Sequence, residues 1–189
     1  YADAYCNLGN VLRDLGKLQE AELSTRKAIE LNPNYATAHS NLGNILTSLG
    51  KLKEAEFAYL KAIKLNPNHS NAHYNLGNIL TKLEKSKEAE IEYLKAIEAN
   101  PNFSSAYSNL GSLLRDQGKL KEAELYTRKA IELNPDFADA HDNLGSILKN
   151  LGKLKEAELY TRKAIEIKPN FAEAHLNLGN ILTDLGQLK

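Results

Sequence analysis

The chain has 189 residues, and 24 Lys and Arg are matched by 24 Asp and Glu, so the formal net charge is zero. That balance leaves no field to favour nucleic acid or an anionic membrane, and the apolar runs, a few residues each, fall far short of a membrane span. Cys6 is the single cysteine, which excludes an internal disulfide and fits a reducing, cytoplasmic compartment; no segment reads as a signal peptide.

The turn residues all fall on one ruler. Pro33, Pro67, Pro101, Pro135 and Pro169 recur every 34 residues, and so do Gly9, Gly43, Gly77, Gly111, Gly145 and Gly179. Gly16, Gly50, Gly118, Gly152 and Gly186 form a second column. A period of this length marks a solenoid, in which each unit covers its neighbour and function comes from an extended surface rather than a buried pocket. The units run 1–34, 35–68, 69–102, 103–136, 137–170 and a partial 171–189, a single array over 1–189. The chain opens without a methionine and stops halfway through a unit, which reads as a piece of something longer.

Each full unit contains two predicted helices and the partial one contains one. The expectation is eleven helices of about 12–15 residues, no strand, and about 80 % helix. In the second unit the first helix reads ATAHSNLGNILTSLG, with His39, Leu42, Ile45, Leu46 and Leu49 on one side and Asn41, Asn44 and Ser48 on the other. Asn34 is the predicted N-cap, with Thr37 three residues on; Asp136 with Asp139 and Asn170 with Glu173 repeat the relation of a capping box with a shortened acid. Gly50 is expected to end the helix in the left-handed region.

The second helix, KLKEAEFAYLKAIKLNP, carries Leu52, Ala55, Ala62, Ile63 and Leu65 on its apolar face and Lys53, Glu54, Glu56 and Lys61 towards water. Pro67 stops it and biases Asn66 away from helix. A glycine inside a helix costs about 1 kcal/mol against alanine. Its return in every unit therefore indicates a packing need: Gly43, Ala55 and Ala62 let two backbones approach. The third unit departs from the pattern. Glu84 replaces the turn glycine, Ser86 a leucine, and Ala99 a Leu or Ile, so residues 85–100 are expected to be the softest internal element.

NLGN, a turn glycine, EAE, KAI and a terminal Pro at this period resemble the tetratricopeptide repeat over the whole chain. The tryptophan usual near the start of that repeat is replaced by Tyr5, His39, His73, Tyr107, His141 and His175. Wording such as YADAYCNLGNVL and FADAHDNLGSIL is similar to the repeat arms of O-linked N-acetylglucosamine transferases and of bacterial repeat–transferase fusions. The resemblance implies an all-α, right-handed superhelical solenoid of antiparallel helix pairs, five full repeats plus one helix. The first helices would line its concave side.

On those first helices two asparagine columns stand out. One is Asn7, Asn41, Asn75, Asn109, Asn143 and Asn177; the other is Asn10, Asn44, Asn78 and Asn180, with Ser112 and Ser146 between. An amide offers an acceptor and two donors and can hold a peptide by its backbone without reading side chains. The resemblance to the transferase arms implies such a ladder, whereas bonds to neighbouring helices are the structural alternative. Asp3, Asp139, Asp142 and Glu173 would give the groove a slightly acidic bias. Cys6, Ser40, Tyr74, Ser108, Asp142 and Leu176 are expected to face the same groove; none is basic, which argues against a clamp for a terminal carboxylate.

The histidine column shares its place with tyrosine, so a half-buried ring with a polar tip is the expected role rather than a metal ligand. No cofactor or metal site and no catalytic set is legible. The expected function is a non-enzymatic scaffold binding a protein segment or extended peptide. The alternative is a substrate-presenting arm of a larger transferase. Ala2 to Leu15 at one end, and Leu178, Ile181, Leu182 and Leu185 at the other, lack a covering helix, which predicts end-to-end self-association.

Overall fold

The structure is a computed structural model and describes residues 1–186; the last three residues of the partial sixth unit lie outside it. Among the described residues there are eleven α-helices and no strand. The first helices are α1 (Ala2–Asp14), α3 (Ala36–Ser48), α5 (Ser70–Lys82), α7 (Ser104–Asp116), α9 (Ala138–Asn150) and α11 (Ala172–Asp184). The second helices are α2 (Leu18–Leu31), α4 (Leu52–Leu65), α6 (Ser86–Ala99), α8 (Leu120–Leu133) and α10 (Leu154–Ile167). Each has 13 or 14 residues, as the periodicity predicts.

The helices fall into two compact units, Tyr1–Asn100 and Pro101–Lys189. In the first, α1 packs on α2, α3 on α4 and α5 on α6, while α1, α3 and α5 touch in succession. In the second, α7 packs on α8 and α9 on α10; α11 closes against α9 and α10.

Turn chemistry sets the pairing. Gly50 takes φ 74°. Lys51 N–H then bonds Leu46 O at 2.9 Å and Gly50 N–H bonds Thr47 O at 3.0 Å, a Schellman turn that satisfies two carbonyls left over at the helix end. Glu84 makes the same turn at φ 60°, the one non-glycine residue at positive φ among those described. At the far end of each second helix the residue before proline is extended; Asn66 has φ −139° and ψ 94°.

The predicted caps are corrected. The α3, α9 and α11 N-caps are Tyr35, Phe137 and Phe171, none with a side-chain bond. Asn34, Asp136 and Asn170 each lie one residue too early, in the turn that follows the proline. There the asparagine ahead of the proline supplies the acceptor: Asn32 Oδ1 accepts from Asn34 N–H at 3.2 Å and Asn66 Oδ1 from Asn68 N–H at 3.1 Å.

The in-helix glycines do more than bring backbones together. A Cβ on Gly43 would lie 2.5 Å from Cε1 of Tyr59, and one on Gly77 would lie 2.7 Å from Cε1 of Tyr93. At Gly9, Gly111 and Gly145 it would run into Thr25, Thr127 and Thr161 and approach a second-helix carbonyl, that of Ala21 at Gly9, to 3.3 Å. The glycine is a socket for a residue of its partner helix. Around it Leu42, Ile45, Leu46, Ala55 and Ala62 are buried.

Candidate functional site

The two asparagine columns lie on the first helices, as read from the sequence. Asn7 and Asn180 are exposed, and Asn41, Asn75, Asn109, Asn143 and Asn177 are half-buried, as are Asn10, Asn44 and Asn78. Four amides of the first column reach back to the preceding repeat. Asn41 Nδ2 donates to Cys6 Sγ at 3.2 Å, Asn75 Nδ2 to Asn44 Oδ1 at 2.9 Å, and Asn143 Nδ2 to Ser108 Oγ at 3.1 Å. Asn177 Nδ2 donates to both Asp142 oxygens, at 3.0 and 2.9 Å.

Within each of the two compact units the first column thus ties successive first helices together through its NH2 groups. The amide oxygens of Asn41, Asn75, Asn143 and Asn177 accept no bond from the described protein. The second column is anchored from the other side: Tyr59 Oη donates to Asn44 Oδ1 and Tyr93 Oη to Asn78 Oδ1, each at 2.8 Å. Asn10 Oδ1 is buried without a hydrogen-bond partner.

Several groove expectations are corrected by these ties. Cys6, Ser40, Ser108 and Asp142 are buried rather than open to the groove, because the first helix of the following repeat covers them. Leu176, with no later repeat described, is 65 % exposed. Burial pushes the Asp142 carboxyl above the ordinary range, opposed by its bond from Asn177 and reinforced by Glu173 and Asp139. Asp3, Asp139 and Glu173 remain exposed.

The histidine column has a role the sequence reading left general. Nε2 of His39, His73, His141 and His175 faces the carbonyl oxygen of the proline six residues back, at 3.0, 2.9, 2.8 and 2.8 Å. Each ring locks the start of its helix to the end of the preceding repeat. His73 also meets Glu92 Oε2 through Nδ1 at 2.6 Å.

On the second helices Glu22 pairs with Arg26, Glu124 with Arg128 and Glu158 with Arg162, each four residues apart. Missed from sequence were the pairs between repeats. Lys51 meets Glu22 at 2.9 Å, Lys85 meets Glu56 at 2.8 Å and Lys153 meets Glu124 at 2.9 Å. The recurring signal was a lysine just after the turn with a glutamate 29 residues before it.

Known proteins agree with this architecture. Sequence profiles described as tetratricopeptide repeat match residues 2–35, 36–69 and 104–137, and two further profiles of that description match 58–91 with 160–189, and 138–171. No curated protein matches the chain. Among solved structures, YrrB, titled a TPR protein with an unusual peptide-binding site, is 31 % identical; 93 % of this chain and 91 % of that one are covered at a TM-score of 0.74. MamA from Desulfovibrio magneticus RS-1 is 25 % identical over 90 % of this chain and 97 % of that one, with a TM-score of 0.78. Pseudomonas aeruginosa pilF, 23 % identical over 98 % of this chain and 85 % of that one, shares the fold at a TM-score of 0.89. The likeness is to repeat proteins in general, and the transferase-like wording gains nothing from these matches. With its helix pairs, its glycine sockets and profile matches running along its length, the chain belongs to the tetratricopeptide repeat family.

Proposed function

We propose that the chain is a protein-interaction scaffold that holds an extended polypeptide along the face formed by its first helices, chiefly by the peptide's main chain. The observation that carries this reading is the orientation of the asparagine amides. The NH2 groups of Asn41, Asn75, Asn143 and Asn177 are fixed by the preceding repeat, which leaves their carbonyl oxygens as acceptors for peptide N–H groups. The peptide-binding site named for YrrB, at 31 % identity, supports the class of ligand.

Each amide contact contributes about 1 kcal/mol net, so a few contacts less the cost of ordering a peptide give affinity on the order of micromolar or weaker. Little sequence preference is expected beyond a mild attraction of the exposed Asp3, Asp139 and Glu173 for basic side chains.

The test compares Asn41 and Asn75 changed together to Ala or to Asp, using a peptide taken from an array screen. Asp keeps an acceptor but gives up the bond to the preceding repeat, so binding should fall about tenfold or more in the Ala variant and by less in the Asp variant. If the Ala variant melts lower yet binds as tightly as the parent at a temperature where both are folded, the columns serve only to join the repeats. The exposed Leu8, Val11 and Leu15 at one end support the expected end-to-end contact. Sedimentation at rising concentration checks it, an unchanged monomer mass being the result against it.

A further inference from the structure

The same arginine–histidine pair recurs at one spacing, Arg26 with His39, Arg128 with His141 and Arg162 with His175, and the first two of these have a residue of the sequence at the position between them. Between the second pair sits Tyr160 of α10. Its ring stacks on His141 with centroids 5.9 Å apart and planes 26° apart. The Arg128 guanidinium lies 5.4 Å from the ring centre, and its Nη1 donates to the phenol oxygen at 2.9 Å. The residue that corresponds to Tyr160 beside the first pair is Ala58.

Exchanging a ring for a methyl on the same backbone leaves a hole unless the surroundings collapse. They have not collapsed: a cavity of about 590 Å³ opens there, lined by Arg26, His39, Leu42, Leu46, Phe57 and Ala58. The frame around it matches that of the filled slot. Arg26 bonds Glu22 at 2.9 Å and Glu54 at 3.4 Å, and Arg128 bonds Glu124 and Glu156, both at 3.1 Å. Both histidines face a proline carbonyl. The third repeat lacks this frame, with Leu60 for the arginine and Glu92 in the ring position; the fourth has Leu94 and Tyr107 in place of Arg and His.

We propose that this cavity receives the side chain of a tyrosine on a partner polypeptide, the chain's own Tyr160 being the template for it. The ring lies against His39 between Leu42, Leu46 and Phe57, and the phenol oxygen accepts from Arg26. A phenol suits the slot better than a plain aryl group because Arg26 keeps the donor that Arg128 gives to Tyr160. The volume is in the range of small-ligand pockets, about 300–1,000 Å³. Phe57, 73 % exposed, forms an apolar lip that an entering ring would cover. Glu30, Lys53 and Glu54 edge the mouth and can hydrogen-bond a peptide main chain. The site lies between α2 and α4 and none of the asparagines lines it, so it does not depend on the asparagine reading.

The experiment titrates the full chain with p-cresol, toluene and N-acetyltyrosinamide, followed by NMR shifts of Leu42, Leu46 and Phe57. The expected result is saturation by p-cresol on the order of 1 mM, with toluene at least about fivefold weaker. Arg26→Met should weaken p-cresol about tenfold and leave toluene unchanged. Ala58→Tyr should fill the slot and abolish binding. Tyr160→Ala should open a second site and raise the stoichiometry from one p-cresol to two. N-acetyltyrosinamide should bind at least as tightly as p-cresol; p-cresol binding without it would assign the cavity to a free phenol and overturn the side-chain reading. No binding of either, or binding that survives Ala58→Tyr, overturns the site. Should Ala58→Tyr not fold, Tyr160→Ala decides, with no added site as the refuting outcome.

Discussion

The same seven residues, NLGNILT, occur at Asn41–Thr47 and at Asn177–Thr183, yet their glycines should respond in opposite ways to alanine. Alanine gains about 1 kcal/mol over glycine inside a helix. At Gly179 a Cβ meets nothing within 4 Å, so the gain is kept. At Gly43 it would lie 2.5 Å from Cε1 and 2.7 Å from Cδ1 and Cζ of Tyr59, a ring that is 1 % exposed. Overpacking of this kind costs about 1–3 kcal/mol. A displaced ring also gives up its 2.8 Å bond to Asn44, worth about 1 kcal/mol. Gly43→Ala should therefore destabilise by about 1–3 kcal/mol after the helix gain is deducted, and Gly179→Ala should stabilise α11 by up to about 1 kcal/mol. Urea denaturation followed by circular dichroism measures the first, and amide exchange in α11 the second. Repeating Gly43→Ala in a Tyr59→Ala background should make it neutral or stabilising. A loss of similar size with and without the ring would refute the socket account.

Two further substitutions test the turn and the buried acid. Glu84→Gly should stabilise by about 1 kcal/mol, since the left-handed conformation at φ 60° penalises a side chain and glycine bears only its own chain entropy; no gain in a melt would count against strain at this turn. Asp142 has its folded-state pKa raised by burial, so the native chain holds a proton that the unfolded chain has already released, and stability falls as pH rises above the ordinary value of 3.8. Asp142→Asn, which keeps a partner for Asn177, should be the more stable protein at neutral pH by about 1 kcal/mol and lose that advantage in acid. An advantage equal at both pH values would show that burial of charge is not its cause.

Glycine and proline spacing made the helix count, the helix lengths and the left-handed turns legible, Glu84 included, because those features depend on single residues at fixed offsets. The N-caps were misplaced by one residue because Asn34 and Asp136 look like caps locally, while the extended residue before the proline sets where the helix can begin. The groove was harder to read. Asn41 and Cys6, or Asn177 and Asp142, are 35 residues apart, and nothing in the periodicity of one helix tells whether an amide points to a ligand or to the preceding repeat. Asp142 was placed on the surface for that reason. The vacant ring slot depends on three residues from three helices, Arg26, His39 and Ala58. Only the filled copy at Tyr160 shows what their combination means.

The third repeat requires the softness expected of it to be reweighed. Its losses are smaller than the sequence suggests. Glu84 in the left-handed region costs about 1–2 kcal/mol, but the leucines that match Ser86, such as Leu52 and Leu120, are only half-buried, so that exchange contributes about 1 kcal/mol. Against this stands a contact with no counterpart in the other repeats, the 2.6 Å bond between His73, 3 % exposed, and Glu92, 13 % exposed. A charged hydrogen bond of this kind contributes about 2 kcal/mol, which roughly offsets the losses at Glu84 and Ser86 and leaves only that at the half-buried Ala99. Burial alone would raise the Glu92 carboxyl, but bonds from His73 and Lys95 outweigh it and hold the pKa below 4.5. With the folded pKa depressed, this stabilisation is fully present above the ordinary glutamate value and is lost as pH falls through the folded one. Protection factors for α6 should therefore lie close to those of α8 near pH 7, and α6 should be the first internal helix to open on acidification. Glu92→Gln should bring that opening to neutral pH, lowering α6 protection by about tenfold or more. If wild-type α6 already exchanges tenfold faster than α8 at neutral pH, or if Glu92→Gln leaves α6 unchanged, the His73–Glu92 bond is not what holds this repeat closed.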